Sequence, residues 1–252
     1  MDMENAVVRE AVLVIRDLCK SFGTNHVLNH FNLELYKGEN LVVLGKSGSG
    51  KSVLIKCIIG LMKPEVGSIT IFGEDVLALE HEDLDRLRMK IGFLFQSNAL
   101  YDSMTVRENL VFPLRRHWLK KDMSRVKTDE LVLEALHNVG LEHTVDMMPI
   151  ELSGGMRKRI ALARTLILKP EIILYDEPTT GLDPITGKEI IQLMIDIQKK
   201  YQTSSVIISH DLQCVSMAAD RVVMLIDGVC YATGTYADLR KSIDPKVKLF
   251  FD

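Results

Sequence analysis

Eight consecutive residues near the start of the chain have the types and spacing needed to bind a phosphate group. They lie between apolar runs at residues 41–44 and 53–59, and they are Gly45, Lys46, Ser47, Gly48, Ser49, Gly50, Lys51 and Ser52. The glycines let successive N–H groups face one anion, and the following helix adds the positive end of its dipole. Lys51 would reach the β- and γ-phosphates of a nucleotide, and Ser52 would bind Mg²⁺. The strand, loop and helix context favours this interpretation over a merely flexible glycine loop.

A pair of carboxylates follows a second apolar run. Residues 172–175 read Ile-Ile-Leu-Tyr, and Asp176 and Glu177 come directly after them. Ligands bind at the carboxyl ends of strands in open α/β sheets, so we expect Asp176 to hold Mg²⁺ opposite Ser52. Glu177 points to the other side of the strand end and can polarise a water molecule for attack on the γ-phosphate. The alternative is two surface acids that end a strand.

Three more side chains are candidates for the same site. Gln96 follows the apolar run 91–95, and His210 follows the run 204–209. At the end of a sheet strand, His210 is positioned to contact the γ-phosphate, although a single histidine is usually structural. Phe22 has a flat ring that could stack on a purine base, although an isolated aromatic is more often a core or turn residue.

A second glycine-rich helix start lies in the second half of the chain. Leu152, Ser153, Gly154, Gly155 and Met156 precede a run with alanine and leucine at helical spacing. Ser153 suits an N-cap, and the exposed N–H groups make another anion site. One domain rarely needs two such sites, so an ordinary capped helix is the alternative here. A proline- and glycine-rich turn at 178–184 then leads into the helix predicted at 185–199.

Length, charge and cysteine content narrow the class of protein. The 252 residues suit one large α/β domain, and the formal charge of −3 gives no general attraction to nucleic acid, so no nucleic-acid partner is predicted. Four widely separated cysteines without a C-x-x-C pair indicate a reducing compartment. The first nine residues are not expected to form a secretion signal, and no apolar run reaches membrane-spanning length. Any membrane role is therefore expected to come through a partner.

The surrounding pattern predicts how these residues are positioned. Alternating or apolar runs predict strands at 11–15, 31–36 and 67–73, in addition to those that precede the site residues. Helical patterns at 106–114 and 127–139, the second ended by Gly140, interrupt the strand-rich texture. We therefore predict a helical subdomain inserted into the α/β core.

In chain order, these motifs resemble those of ATP-binding cassette (ABC) ATPases, and the resemblance covers nearly the whole chain. It is carried by residues 45–52, Gln96, 152–156, Asp176-Glu177, Asp183 and His210. The resemblance implies an α/β P-loop NTPase fold with a mixed RecA-like sheet core, an antiparallel β subdomain and an inserted helical subdomain. Within a single domain, it implies a catalytic core with the β subdomain at about 11–96 and 160–240, helices at 97–159 and a C-terminal extension at 241–252.

The same resemblance implies cofactors, an assembly and a role for each residue. ATP and Mg²⁺ bind between two copies in a head-to-tail homodimer, with residues 45–52 of one copy facing 153–155 of the other. Phe22 stacks on adenine, Gln96 senses Mg²⁺ and the attacking water, Glu177 is the catalytic base and His210 holds the γ-phosphate. Asp183 crosses the dimer interface. Met156 stands where the commonest signature has Gln, so contacts there rest on Ser153 and backbone N–H groups.

A narrower resemblance concerns the transported molecule. Residues 95–109, 112–115, 151–159 and 244–247 are similar to the ATPase subunit of Mla-type transporters, which work with MCE-domain proteins and move phospholipids between the membranes of Gram-negative bacteria. This similarity implies an integral membrane permease, a periplasmic MCE-domain protein and a small STAS-domain protein as partners. It also implies a location on the cytoplasmic face of the bacterial inner membrane.

Three other functions remain open at this point. A non-transport cassette that acts on DNA or the ribosome is disfavoured, because the chain lacks a long coiled-coil insertion and a second cassette. A permease that signals force to cell-wall enzymes has the same ATPase architecture. A nucleotide-sensing module without catalysis is disfavoured because Lys51, Asp176, Glu177 and His210 are all present.

Overall fold

A computed structural model describes residues 9–118 and 125–251, which form two sheets surrounded by helices. The strands are β1 (Ala11–Phe22), β2 (Asn25–Tyr36), β3 (Asn40–Leu44), β4 (Val66–Ile71), β5 (Glu74–Asp75), β6 (Ile91–Leu94), β7 (Ile172–Asp176), β8 (Ser204–Ser209), β9 (Arg221–Ile226) and β10 (Val229–Gly234). The helices are α1 (Lys51–Ile58), α2 (His81–Met89), α3 (Val106–Trp118), α4 (Arg125–His137), α5 (Gly154–Leu166), α6 (Pro184–Tyr201), α7 (Leu212–Ala218), α8 (Tyr236–Arg240) and α9 (Pro245–Lys248).

The central sheet has the strand order β10-β9-β3-β8-β7-β6 and is parallel except for β10. All five residues of β3 are buried, because both faces of this sheet are covered. Leu41 and Val43 pack into one hydrophobic cluster, and Val42 and Leu44 pack into the other. The mixed sheet core predicted for an ABC ATPase is confirmed.

The second sheet is antiparallel, with the order β2-β1-β4-β5, and it packs with α1 in one of these clusters. Its first hairpin is longer than the predicted strands at 11–15 and 31–36, since Ser21 still pairs with His26. Register shifts after Ile15 and the positive φ of Asp17 (52°) break the two-residue alternation that sequence reasoning depends on. Phe22 is therefore the last residue of β1 rather than part of a long connection.

The inserted helices pack on the α5 side of the central sheet. Leu110 of α3 and Leu136 of α4 are fully buried and belong to the same cluster as Ile160 of α5. The boundaries predicted near 96/97 and 159/160 stay a prediction, and α5 crosses the second of them. Among the described residues, the structure contains no helix with the length and apolar character of a membrane span.

Candidate functional site

Sheet topology brings four of the sequence motifs to one edge. Because β3, β8, β7 and β6 are adjacent and parallel, their carboxyl ends lie side by side. The phosphate loop, His210 and the segment at Gln96 each follow one of these ends, and Asp176 is the last residue of β7, directly before Glu177. This is the edge at which open α/β sheets bind their ligands.

The phosphate loop depends on glycine at a close backbone contact. Gly50, which precedes α1, has φ 101°, and a Cβ there would lie 2.6 Å from Cγ1 of Val27. A larger residue would therefore be strained and would clash with the β2 strand. The first N–H groups of α1 have no partner within the helix, and they face the loop as an anion site.

Lys51 is the buried cation of this loop. Its side chain is 6% exposed, and Nζ donates to the carbonyl oxygens of Gly45 at 2.7 Å and Lys46 at 3.0 Å. Nζ also lies 3.4 Å from Oε1 of Glu177. The ammonium group thus connects the loop to the carboxylate at the end of β7. Binding and hydrolysis of a polyphosphate need both groups, a cation for the phosphates and a nearby acceptor for the proton of the attacking water.

Ser52 and Asp176 form a pair of oxygen donors. The Ser52 hydroxyl donates to Oδ1 of Asp176 at 3.4 Å, across the gap between α1 and β7. Burial raises the pKa of the Asp176 carboxyl, and the negative charge of Glu177 raises it further. The positive charges of Lys51 and Lys56 and the Ser52 hydroxyl act in the opposite direction without cancelling these effects, so a bound cation would favour the ionised carboxylate. Ser52 and Gln96 line one cleft, and the half-buried Asp176 adjoins it through its contact with Ser52, so a hydroxyl, a carboxylate and an amide form a donor set that suits Mg²⁺.

Glu177 is held by contacts on several sides. Its side chain is 10% exposed, and His210 approaches Oε2 with Nδ1 at 2.8 Å and with its backbone N–H at 3.4 Å. Because a carboxylate only accepts hydrogen bonds, Nδ1 carries the proton and Nε2 is directed elsewhere. The backbone of Glu177 has φ 49°, a costly conformation that its N–H bond to Ile208 helps to maintain. The carboxylate is thus fixed beside the end of Lys51.

One cleft of about 390 Å³ collects most of the predicted nucleotide-binding residues. Its lining includes Phe22, Ser47, Gly48, Gly50, Lys51, Ser52, Gln96, Glu177 and His210. Phe22 is 49% exposed at the end of β1, so its ring is available for stacking. Lys46 and Ser49 instead line a neighbouring cavity of about 440 Å³, beside Phe250.

Two residues missed by sequence reasoning hold the segment after β6. Nζ of Lys158 donates to the carbonyl of Gln96 at 3.0 Å. Arg164 donates to the carbonyls of Asn98 and Ala99 at 3.0 and 2.7 Å, and both of these residues have positive φ. Lys158 is 1% exposed, which is unusual for lysine. The sequence did contain a signal for this burial. Lys158 lies seven residues, or about two helical turns, before Thr165, and both are on the largely buried face of α5.

We expect Lys158→Met to lower ATP hydrolysis without lowering thermal stability. Burial lowers the pKa of Lys158 to about 8, so methionine removes a desolvated amine from the core while releasing the Gln96 carbonyl. One charge-assisted hydrogen bond corresponds to a loss of about tenfold in kcat, with a higher Mg²⁺ requirement. Steady-state kinetics against Mg²⁺ and a melting curve measure both effects. The exposed Lys188→Met is the control, and a fall in Tm with unchanged kcat would mean that Lys158 has only a structural role.

The residues of the second glycine-rich motif lie in a separate cleft. Ser153, Gly154, Gly155 and Met156 line a cavity of about 470 Å³ together with Asp183 and Thr186. Among the described residues, this cavity and the nucleotide cleft share no lining residue. Ser153 therefore does not contribute to the cleft of its own chain.

Local hydrogen bonds give this second cleft its shape. The Ser153 hydroxyl accepts from the N–H of Met156 at 3.2 Å and caps α5. Asp183 caps α6 by accepting from the N–H groups of Ile185 and Thr186 at 3.0 Å, and from the Thr186 hydroxyl at 2.6 Å. These bonds, that of the hydroxyl above all, lower the pKa of Asp183. Two helix N-termini thus face one opening. This surface suits an anion, and it lies outside the nucleotide cleft of the same chain.

Comparison with known proteins agrees with this geometry. Residues 28–180 match the family model described as ABC transporter. The chain is 40% identical to a probable ribonucleotide transport ATP-binding protein, mkl, of Mycobacterium leprae, over 94% of this chain and 68% of that protein. It is 35% identical to the intermembrane phospholipid transport system ATP-binding protein MlaF of Haemophilus influenzae, over 96% and 91%. It is also 35% identical to the methionine import ATP-binding protein MetN of Campylobacter jejuni, over 95% and 75%.

A solved structure extends the similarity to the fold. The ATP-binding cassette MJ0796, in a dimeric post-hydrolysis state bound to ADP and Pi, has a TM-score of 0.81 and 32% identity. The match covers 89% of this chain and 98% of that one. The chain belongs to the ABC transporter family, as an ATP-binding subunit that hydrolyses ATP.

Proposed function

We propose that this chain is the ATPase subunit of a transporter that moves phospholipid between the inner and outer membranes of a bacterium. The observation that carries the lipid substrate is the similarity to the MlaF protein along almost the full length of both chains. The sequence at 95–109, which precedes and begins α3, has the same resemblance. In this proposal, the chain binds a permease on the cytoplasmic face of the inner membrane, with MCE-domain and STAS-domain proteins in the same complex.

The chemistry at the nucleotide follows from the groups in the cleft. Lys51 and the N–H groups of the loop bind the β- and γ-phosphates, and Phe22 stacks on the adenine. Ser52, Asp176 and Gln96 would hold Mg²⁺, which neutralises phosphate charge when bound. Glu177 accepts a proton from the attacking water, and its 2.8 Å contact with His210 keeps the carboxylate oriented. Nε2 of His210 can donate to the γ-phosphate when both ring nitrogens carry protons, since Nδ1 already donates to Glu177.

The second cleft supplies the reason for a dimer. Ser153 and the N–H groups of residues 154–156 lie outside the nucleotide cleft of their own chain. In a head-to-tail pair they face the ATP bound by the other copy, so that two nucleotides are enclosed by reciprocal contacts. Asp183 lies beside them and faces the partner. ATP binding closes the pair, and hydrolysis removes the contact that the γ-phosphate made with both copies.

Methionine import is the second candidate, because the MetN protein has the same percentage identity. Isolation of the intact complex from membranes through a tag on this chain distinguishes the two. The proposal predicts a phospholipid bound to the co-purifying complex and ATP-dependent phospholipid transfer between vesicles after reconstitution. Glu177→Gln in the same complex is the matched control and should abolish transfer. ATP-dependent methionine uptake without bound phospholipid would contradict the proposal.

A further inference from the structure

A cavity of about 360 Å³ lies at the opposite edge of the central sheet from the nucleotide. Its lining comes from the amino ends of β7 and β8, the start of β1, α4 and the ends of α5 and α6. The main apolar walls are Val12, Leu131, Ala135, Leu166 and Tyr201. This volume is in the range of small-molecule sites, which combine apolar walls with a few polar groups. None of the nucleotide-binding residues proposed above contributes to it.

Charges at the rim of this cavity compensate one another. Lys37 pairs with Glu10 at 3.4 Å, and Lys169 pairs with Glu134 at 2.9 Å, all four being lining residues. Glu171 adds a negative charge. An anionic ligand would have to compete with glutamates for both lysines. The charge arrangement therefore disfavours an anion, and the apolar walls disfavour an ion of either sign because burial of its charge there would be costly.

One buried polar group in the lining has an unmet hydrogen bond. Thr203 is 2% exposed, and its hydroxyl has no hydrogen-bond partner in the described part of the chain. A buried hydroxyl without a partner is unfavourable, so such groups usually find one. The neighbouring Tyr201 hydroxyl already has one partner, since it accepts from Nδ2 of Asn138 at 2.7 Å. The Thr203 oxygen is enclosed in the unliganded chain, and a rotation of this side chain would turn its hydroxyl toward a molecule in the cavity.

We propose that this cavity binds an uncharged, mainly apolar small molecule that carries one hydrogen-bonding group. The ligand would lie between α4 of the inserted helices and the sheet core, beside the bond from Asn138, the residue after α4, to Tyr201 of α6. Its binding would strengthen that junction. The inference does not depend on the phospholipid proposal.

N-phenyl-1-naphthylamine is a suitable probe, because it is uncharged, mainly apolar, has a single N–H group and fluoresces more strongly in apolar surroundings. The full chain should bind it saturably, with one molecule per chain, and ATP should not displace it. Direct excitation of the probe avoids signals from tryptophan. Non-saturable binding, or displacement by ATP, would overturn the proposal because it would indicate general surface adsorption or the nucleotide cleft.

Two tryptophan variants on the same helix test the location. Leu131→Trp fills the cavity and should weaken binding at least tenfold, whereas Leu133→Trp, at a position that is 47% exposed and outside the lining, should leave it unchanged. ATP binding by each variant verifies that it is folded. Equal binding by the two variants would overturn the location.

A third variant tests the polar group. Thr203→Val keeps the shape and removes the hydroxyl, so probe affinity should fall about fivefold, the equivalent of one neutral hydrogen bond. Unchanged affinity would show that Thr203 is not a ligand-binding group. Binding that occurs only after deletion of residues 1–8 would also contradict the proposal, because the chain itself would then be the occupant.

Discussion

Glu177→Gln should reduce ATP hydrolysis by at least about 100-fold while ATP binding is retained, since general-base catalysis typically contributes 10²–10⁴-fold. Glutamine has nearly the same shape, and its amide oxygen can still accept from His210, so the 2.8 Å contact can persist. It cannot accept a proton from water. Loss of a negative charge near the γ-phosphate also favours ATP, so binding should be equal or tighter.

Phosphate release and nucleotide binding, measured on the assembled complex, separate these two effects. Glu82→Gln, at an exposed position in α2, is the matched control and should hydrolyse ATP at the normal rate. If Glu177→Gln retained normal turnover, the base would have to be another group. A parallel loss of binding would instead indicate that Glu177 mainly maintains the shape of the cleft.

Lys51→Ala should weaken both nucleotide binding and hydrolysis, with a loss of about 100-fold or more in affinity. The substitution removes the buried ammonium that faces the phosphates, and a charge-assisted hydrogen bond in a desolvated site is worth about twice a neutral one. It also leaves Glu177 without its cation at 3.4 Å, which adds repulsion toward the γ-phosphate. Affinity and kcat should therefore fall together, in contrast to Glu177→Gln.

Equilibrium binding of a fluorescent ATP analogue, followed by phosphate release, measures this pair of losses. Lys56→Ala is the control, because Lys56 is an exposed lysine on the same helix. Its affinity should remain within a few-fold of normal. Normal affinity in Lys51→Ala would contradict the assignment of residues 45–52 as the phosphate loop.

The nucleotide edge of the sheet could be predicted because the signals there are local. Runs such as 172–175 are buried on both faces, and each is followed directly by a polar residue, so the edge is readable without tertiary information. Parallel order then brings Gln96, Glu177 and His210 together, as the structure shows. Their chemical roles stay predictions that the variants above test.

Other features depend on contacts that are distant in sequence. The extension of β1 to Phe22 is hidden by bulges, and the short helix α7 follows His210 without a clear apolar period. Lysine is usually a surface residue. Lys158 is buried because of its position on the inner face of α5, where it donates to the carbonyl of Gln96, 62 residues away in sequence. The pattern of residue types in one sequence does not show which distant residues form such a hydrogen bond.

The separation of the two clefts is the structural basis for our proposal that each ATP is completed by two copies of the chain. The phosphate loop and Ser153 lie in different clefts of one chain. Mixed dimers can therefore distinguish sharing between copies from sharing within one copy. A subunit with Lys51→Ala paired with a subunit with Ser153→Arg keeps one site fully intact if the sites are shared. A wild-type subunit paired with the double variant keeps none.

The decisive measurement is the amount of ATP retained by these two mixed dimers after rapid gel filtration, with Glu177→Gln in every subunit to prevent hydrolysis. If the sites are shared between copies, the first dimer retains one nucleotide and the second retains none. The reverse pattern, with ATP retained only when both substitutions are in the same subunit, would contradict the proposal.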